Sequence, residues 1–207
     1  MGSDPEYSIL YMIIEFPYMS IKGILMQLYK ELNIMDDKKL YYKINLFSLV
    51  VLMVITAAVF VPHLVIYGDL HLVISSSQSI WAFGIFLISI PLHECFHVLF
   101  FKLFSKTGKV KYGFSKGMFY ATNPGVIYTK RQFTIIMLAP FVFNSLLFFL
   151  LALFGLDSTA LWIVFILHTA SCAGDFWYIY EIIKHPAITH CEDTPTGIKL
   201  LIAGALN

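Results

Sequence analysis

The sequence predicts an all-α polytopic membrane protein with about four transmembrane helices. It also predicts a short β-hairpin loop between spans 2 and 3 and an N-terminal amphipathic helix. Hydrophobic residues make up 58% of the 207 residues and charged residues only 13%, whereas a soluble domain is about 45–50% apolar and about 25% charged. The net charge of +1 provides no basic field for nucleic acid. Three cysteines without a CxxC pair argue against a disulfide scaffold and against a thiolate zinc site.

Four stretches have the length and composition of membrane spans. A helix needs about 20 mostly apolar residues to cross the hydrocarbon core, and residues 46–67, 79–104, 133–154 and 159–183 meet this requirement. They define a membrane domain at 46–183. An N-terminal cytoplasmic or interfacial segment at 1–45 precedes it, and a cytoplasmic tail at 184–207 follows it.

The basic residues predict the orientation of these spans. Of the 14 Lys and Arg, 13 lie before the first span, between the second and third, or after the last, and Lys102 lies at the end of the second span, next to the middle loop. Because cytoplasmic loops carry the excess of Lys and Arg, we expect both termini and the loop at 105–132 to be cytoplasmic.

Two segments outside the spans show a pattern of their own. In residues 20–34 the apolar side chains follow helical spacing, which fits an amphipathic helix on the membrane surface or an ordinary helix packed on the bundle. Between residues 105 and 132, short β-prone runs are separated by Gly117 and by Asn123–Pro124–Gly125, which is typical of a hairpin or a short meander.

The second span contains the motif His93–Glu94–Cys95–Phe96–His97. Residues four apart lie on one face of a helix, so both imidazoles can bind one Zn²⁺, with Glu94 positioned as general base for metal-assisted hydrolysis. The alternative is a structural polar cluster satisfied by neighbouring helices. Ionisable groups near the centre of a span cost at least about 2–3 kcal/mol each, which favours a metal site.

Two histidines leave a zinc site one protein ligand short. The candidates are His63, His168, Asp175, Glu181 and residues of the tail. Depth favours Asp175, because at about 1.5 Å per residue it lies within about one helical turn of the histidine pair. His168 lies about 10 Å farther out on the same reckoning, and Glu181 lies close to the membrane surface.

Two further polar residues lie inside spans. Asn144 follows Pro140 in the third span and would donate to a substrate carbonyl or oxyanion, or else form a hydrogen bond between helices. His168 would support a metal ligand or stabilise the transition state, or else be a packed polar residue.

These motifs together resemble the site-2-protease type of intramembrane zinc metalloprotease, and most closely the small bacterial "putative zincin peptidase" family of about four spans. The similarity rests on four short segments, which are "HECFH" at 93–97, "KYGF" at 111–114, "LAP" at 138–140 and "SCAGD" at 171–175. One difference is that Asp175 follows its glycine, whereas in well-studied site-2 proteases the acidic residue precedes it.

The resemblance implies an intramembrane zinc metalloprotease in a bacterial cell membrane. Its cofactor would be Zn²⁺, held by His93, His97 and Asp175, and Glu94 would be catalytic. Its partners would be the lipid bilayer and a membrane protein or peptide, cleaved near the cytoplasmic face, and not nucleic acid. The alternative functions are a membrane metal-ion carrier and a catalytically inactive zinc-containing binding protein.

Overall fold

The computed structural model describes residues 19–21, 24–68 and 74–204. This part of the chain contains five helices and seven strands. The helices are α1 (Lys38–Tyr67), α2 (Ser76–Phe104), α3 (Lys130–Leu153), α4 (Ser158–Ser171) and α5 (Ala173–Lys184). The strands are β1 (Met19–Ile21), β2 (Ile24–Asn33), β3 (Lys111–Ser115), β4 (Met118–Thr122), β5 (Ile127–Thr129), β6 (His190–Thr194) and β7 (Gly197–Gly204).

Three of the described helices, α1 to α3, are long and apolar enough to cross a membrane. Helices α4 and α5 pass the same test only as a pair, and they meet at Cys172 with a bend of 48°. The predicted span at 159–183 is therefore interrupted. Composition alone does not reveal such a bend, because most backbone N–H and C=O groups form hydrogen bonds within the segment whether the helix is straight or bent.

The prediction of an all-α fold is wrong for the two ends of the described chain. Five strands form an antiparallel sheet in the order β1-β2-β7-β6-β5. Strand β2 comes from the predicted N-terminal segment and β6 and β7 from the predicted tail. The sheet therefore joins regions from opposite ends of the sequence.

The predicted amphipathic helix at residues 20–34 is replaced by strand β2. Met26 and Leu32 are buried, whereas Gln27 and Glu31 between them are exposed, which is the two-residue period of a strand. The apolar residues of this segment also fit helical spacing, but that match is a coincidence. Strand β2 forms because its backbone groups pair with β7, a long-range partner that local periodicity does not reveal.

The predicted hairpin between spans 2 and 3 is confirmed. Strands β3 and β4 pair antiparallel around the turn at Lys116–Gly117. Gly117 has a φ of 81°, in the left-handed region that glycine occupies without steric cost. Strand β4 packs against α2, so the hairpin lies beside the helix that carries residues 93–97.

One buried core joins the sheet to the ends of the helices. Its fully buried members include Phe101 of α2, Tyr128 of β5, Phe133 of α3 and Leu200 of β7. Each buried side chain of this size contributes about 1.5–3 kcal/mol. The core therefore holds the end of α2 in a fixed position relative to α3 and the sheet.

Candidate metal centre

Three side chains from two helices converge inside the bundle. His93 and His97 lie one turn apart on α2, and their Nε2 atoms are 3.2 Å apart. Asp175 lies in the first turn of α5. Its Oδ2 is 3.2 Å from Nε2 of His93, and its Oδ1 is 3.5 Å from Nε2 of His97. The bend at Cys172 is what brings the first turn of α5 toward α2.

These two imidazoles and this carboxylate fit a zinc ion. Bonds of about 2.0–2.1 Å in a tetrahedral arrangement place neighbouring ligand atoms about 3.3–3.4 Å apart, and the three measured separations lie on either side of this value. Two imidazoles and one carboxylate are also a donor set typical of catalytic zinc, which keeps a fourth position for water or substrate. The donor atoms present therefore match the cofactor that the sequence predicted.

The orientation of His97 depends on a proline in the neighbouring helix. In a regular helix the carbonyl of Ile136 accepts from the N–H of residue 140, but residue 140 is Pro and has no N–H. The free Ile136 carbonyl oxygen lies 3.0 Å from Nδ1 of His97. Since a carbonyl only accepts, Nδ1 carries the proton, and the lone pair of Nε2 faces His93 and Asp175.

His93 is held from behind by a sulfur atom. Its Nδ1 lies 3.7 Å from Sγ of Cys172, within the range of a weak hydrogen bond to sulfur. Its Nε2 faces Asp175. Both histidines thus use Nδ1 for a partner in the protein and direct Nε2 toward the same point, as metal-ligating histidines usually do.

Glu94 is anchored to the hairpin. Its Oε2 accepts a hydrogen bond of 2.6 Å from the backbone N–H of Ala121 in β4. The carboxylate therefore keeps one defined orientation at the wall of the cavity that also exposes His93, His97 and Asp175. A carboxylate held in this way is suited to exchange a proton with a molecule in the cavity.

The cavity has a volume of about 370 Å³. It lies between α1, the first part of α5, strand β4 and the turn that joins β6 to β7. Polar side chains on its walls include Asn45 and Ser48 of α1 and Asp193 of β6. Gly174 also lines it, and a Cβ added there would have no neighbour within 4 Å. A peptide backbone thus has open space beside Asp175.

Two residues that the sequence singled out lie away from this cavity. Asn144 is fully buried in α3, and its Nδ2 donates to the carbonyl oxygen of Pro140 in the same helix, at 3.0 Å. This bond is neither to another helix nor toward the cavity. His168 is also buried, with its ring centroid 5.7 Å from that of His93. It is not among the residues that line the cavity.

Sequence reasoning did not identify Cys172, the Ile136 carbonyl or Asp193. Pro140 offered a signal for the carbonyl, because a proline inside a helix releases the oxygen four residues earlier. Asp193 had no local signal, since it depends on the sheet. Burial raises the pKa of its carboxyl to about 7, although the carboxyl accepts a hydrogen bond from the N–H of Asn123.

A family model with the description "Putative zincin peptidase" matches residues 86–189, about half of the chain. The matched region runs from the middle of α2 to the segment after α5. It contains His93, Glu94, His97 and Asp175. No curated protein and no solved structure matches the chain.

Proposed function

Since the chain belongs to the family described as "Putative zincin peptidase", we propose that it is an intramembrane zinc peptidase of the site-2-protease type. It hydrolyses peptide bonds of membrane proteins or peptides near the cytoplasmic face. The observation that carries this proposal is the meeting of His93, His97 and Asp175 beside Glu94, in a chain with three helices long enough to span a membrane. The match of the family model supports peptidase chemistry, and the helices support the membrane location.

The chain's own residues divide the work as follows. His93, His97 and Asp175 would hold the zinc ion. When bound, zinc polarises a carbonyl oxygen and lowers the pKa of water. Glu94 would accept a proton from the attacking water and deliver it to the amine nitrogen that leaves. The hydrogen bond from the Ala121 N–H keeps the Glu94 carboxylate directed at the cavity during this transfer.

The hairpin offers a way to hold an extended substrate. A peptide bond inside a helix is hydrogen-bonded and must be unwound before it is cleaved. The N–H of Ala121 points to Glu94 and not to β3, so this edge of β4 faces the cavity. An unwound peptide would add as a further strand along this edge, with main-chain hydrogen bonds providing affinity.

The depth of the cluster and the positions of the basic residues support cleavage near the cytoplasmic face. His97 lies seven residues before the end of α2, which is about 10 Å along the helix axis. The sheet and the hairpin follow this end of the helices, and the basic residues of the chain are concentrated there.

Cysteine labelling tests the orientation. In a background without the three native cysteines, a Cys at Lys109 should react with an impermeant reagent only after the cytoplasmic side is opened. A Cys at Phe154, which is 82% exposed, should react from the other side in intact cells. The reverse pattern would contradict the proposed topology.

Comparison of new protein termini tests the activity. Wild-type protein and the Glu94→Gln variant would be produced in the same host, and termini in the membrane fraction compared by mass spectrometry. Gln keeps the size and hydrogen bonding of Glu but does not accept a proton, so cleavage should fall by about 10²–10⁴-fold while zinc content is unchanged.

Glu31→Gln is the matched control, because Glu31 is an exposed residue of β2 paired with Lys199 of β7. It should retain cleavage. If Glu94→Gln cleaves at the wild-type rate and binds zinc, the protein is not a peptidase that uses Glu94, and a metal carrier or zinc-containing binding protein becomes the better explanation.

A further inference from the structure

A second group of metal-binding atoms lies directly behind His93. Sγ of Cys172 is 3.7 Å from Nδ1 of His93 and 3.9 Å from both ring nitrogens of His168. Cys172 and His168 are each 1% exposed. Both belong to one short segment, because His168 lies in the last turn of α4 and Cys172 is the residue at the bend that follows it.

The spacing of these atoms fits a metal site. A thiolate at about 2.3 Å and an imidazole nitrogen at about 2.0–2.1 Å from one tetrahedral ion lie about 3.5 Å apart. The measured distances exceed this value by only a few tenths of an ångström. Sulfur is a weak hydrogen-bond acceptor, so among the described residues the buried imidazole of His168 has only the weak partner Cys172, which is costly for a buried polar group.

The two groups share His93 and each has a second histidine, so the type of the third ligand decides which metal each prefers. The group with His97 has the carboxylate of Asp175, whereas the group with His168 has the sulfur of Cys172. Soft thiolate ligands favour soft cations such as Cu⁺, and imidazole suits copper as well as zinc. We propose that His168, Cys172 and Nδ1 of His93 form a second metal site, selective for a soft cation of the Cu⁺ type.

The shared imidazole couples the second site to the first. In the first group His93 contributes Nε2, with its proton on Nδ1 directed at Cys172. In the second group it contributes Nδ1, so that proton moves to Nε2, the atom that would otherwise hold zinc. Cu⁺ binding thus displaces the Cys172 thiol proton to solvent and weakens the hold of His93 on zinc. Excess copper would then release zinc from the first site.

Copper titration of the purified protein in detergent tests the second site and its effect on zinc binding. Under anaerobic conditions, Cu⁺ would be supplied to zinc-free protein as its bicinchoninate complex, and the copper bound per chain measured. One Cu⁺ per chain should bind in the wild type. The affinity should fall at least tenfold in Cys172→Ser and in His168→Gln. In zinc-loaded protein, Cu⁺ should release zinc from the wild type but not from Cys172→Ser.

Cys191→Ser is the matched control, because Cys191 is as buried as Cys172 and lies in β6, away from His168. It should bind Cu⁺ as the wild type does. Unchanged copper binding in both Cys172→Ser and His168→Gln would overturn the site, and equal Cu⁺ affinity for zinc-free and zinc-loaded protein would remove His93 from it. Neither result depends on peptidase activity, and a protein that fails to cleave peptides can still be scored for copper.

Discussion

The helices and the five-stranded sheet bury apolar surface in opposite ways. Along α1 the most apolar stretch has none of its residues buried inside the protein, and Met53 and Val65 are 63% and 78% exposed. In the sheet, Ile198 and Leu200 of β7 are fully buried. The exposed apolar side chains of α1 suit a lipid environment, whereas the sheet covers its own apolar side chains.

The difference shows where the chemistry can be placed. A polar group on a lipid-facing helix surface would find no water to bond, so polar side chains of a membrane-spanning helix are placed where the protein offers a partner. His93, His97 and Asp175 lie within 3.5 Å of one another where α2 approaches the first turn of α5. Among the described residues, the ligand group of His93, His97 and Asp175 comes from helices alone, and the sheet holds the elements around the cavity. An ion pair of 2.8 Å between Lys30 of β2 and Glu181 of α5 links the two regions.

The largest effect should come from removing the acidic ligand. Asp175→Ala leaves two imidazoles, which is one protein ligand fewer than a catalytic zinc site uses. Zinc affinity should fall by more than about 100-fold, equivalent to about 2.7 kcal/mol, as measured by chelator competition.

Asp157→Asn is the control for this loss. Asp157 caps α4 and accepts from Gln78, both away from the cavity, so the variant should keep its zinc. Full zinc occupancy in Asp175→Ala would instead assign the third ligand to another residue, and His168 would be the next to test.

The second prediction concerns the sheet and tests whether the two regions are independent. Gly197 begins β7 with a φ of 155°, and a Cβ there would overlap the carbonyl oxygen of Leu32 in β2. Gly197→Ala should therefore cost about 1–3 kcal/mol from backbone strain alone. At about 2–4 °C per kcal/mol for a chain of this size, the melting temperature in detergent should fall by roughly 5–10 °C.

Zinc affinity should change little in Gly197→Ala, because every proposed ligand lies on a helix. The control is Gly84→Ala in α2, where an added Cβ meets no atom within 4 Å and no loss of stability is expected. A parallel loss of zinc in Gly197→Ala would show that the helices do not hold the site without the sheet.

The same contrast explains what could be predicted from the sequence. The helices are specified locally by continuous apolar stretches, and His93, Glu94 and His97 lie four residues apart at most. Asp175 could be placed near the two histidines because depth in a membrane is counted along the chain, and the structure brings the three together. Strand β2 was mistaken for a helix because its partner β7 lies at the other end of the sequence, and short apolar patterns fit both periods.

The parts of the site that could not be predicted are contacts between elements. The bond from His97 to the Ile136 carbonyl requires α2 and α3 to be placed side by side. The approach of Cys172 to His93 requires the bend between α4 and α5. Neither placement follows from residue types, because each depends on how helices pack rather than on where they begin and end.

The third prediction tests the proline that frees this carbonyl. In Pro140→Ala a backbone N–H returns at residue 140 and competes with His97 for the Ile136 oxygen. Loss of such a supporting bond usually costs 10–100-fold in metal affinity, and we expect about 10-fold, because His97 keeps its place on α2. Pro62→Ala in α1 is the control, since it also restores a helix bond but lies outside the cavity. Equal zinc affinity in Pro140→Ala and the wild type would mean that the Ile136 carbonyl does not orient His97.

The smallest effect should appear as a pH dependence of stability that originates in the sheet. Burial raises the pKa of Asp193 to about 7 from a model-peptide value of 3.8. Between these values the unfolded chain has released its proton while the folded chain still holds it, so stability falls as pH rises through this window and then stays constant.

In Asp193→Asn the amide oxygen can still accept from the N–H of Asn123, but no ionisation is possible. The variant should therefore lose less melting temperature than the wild type between pH 5 and pH 8, by a few degrees. Asp193→Ala removes the acceptor as well and should be less stable than Asp193→Asn at both pH values. The same decline with pH in Asp193→Asn and the wild type would show that the ionisation of Asp193 does not limit the stability of the sheet.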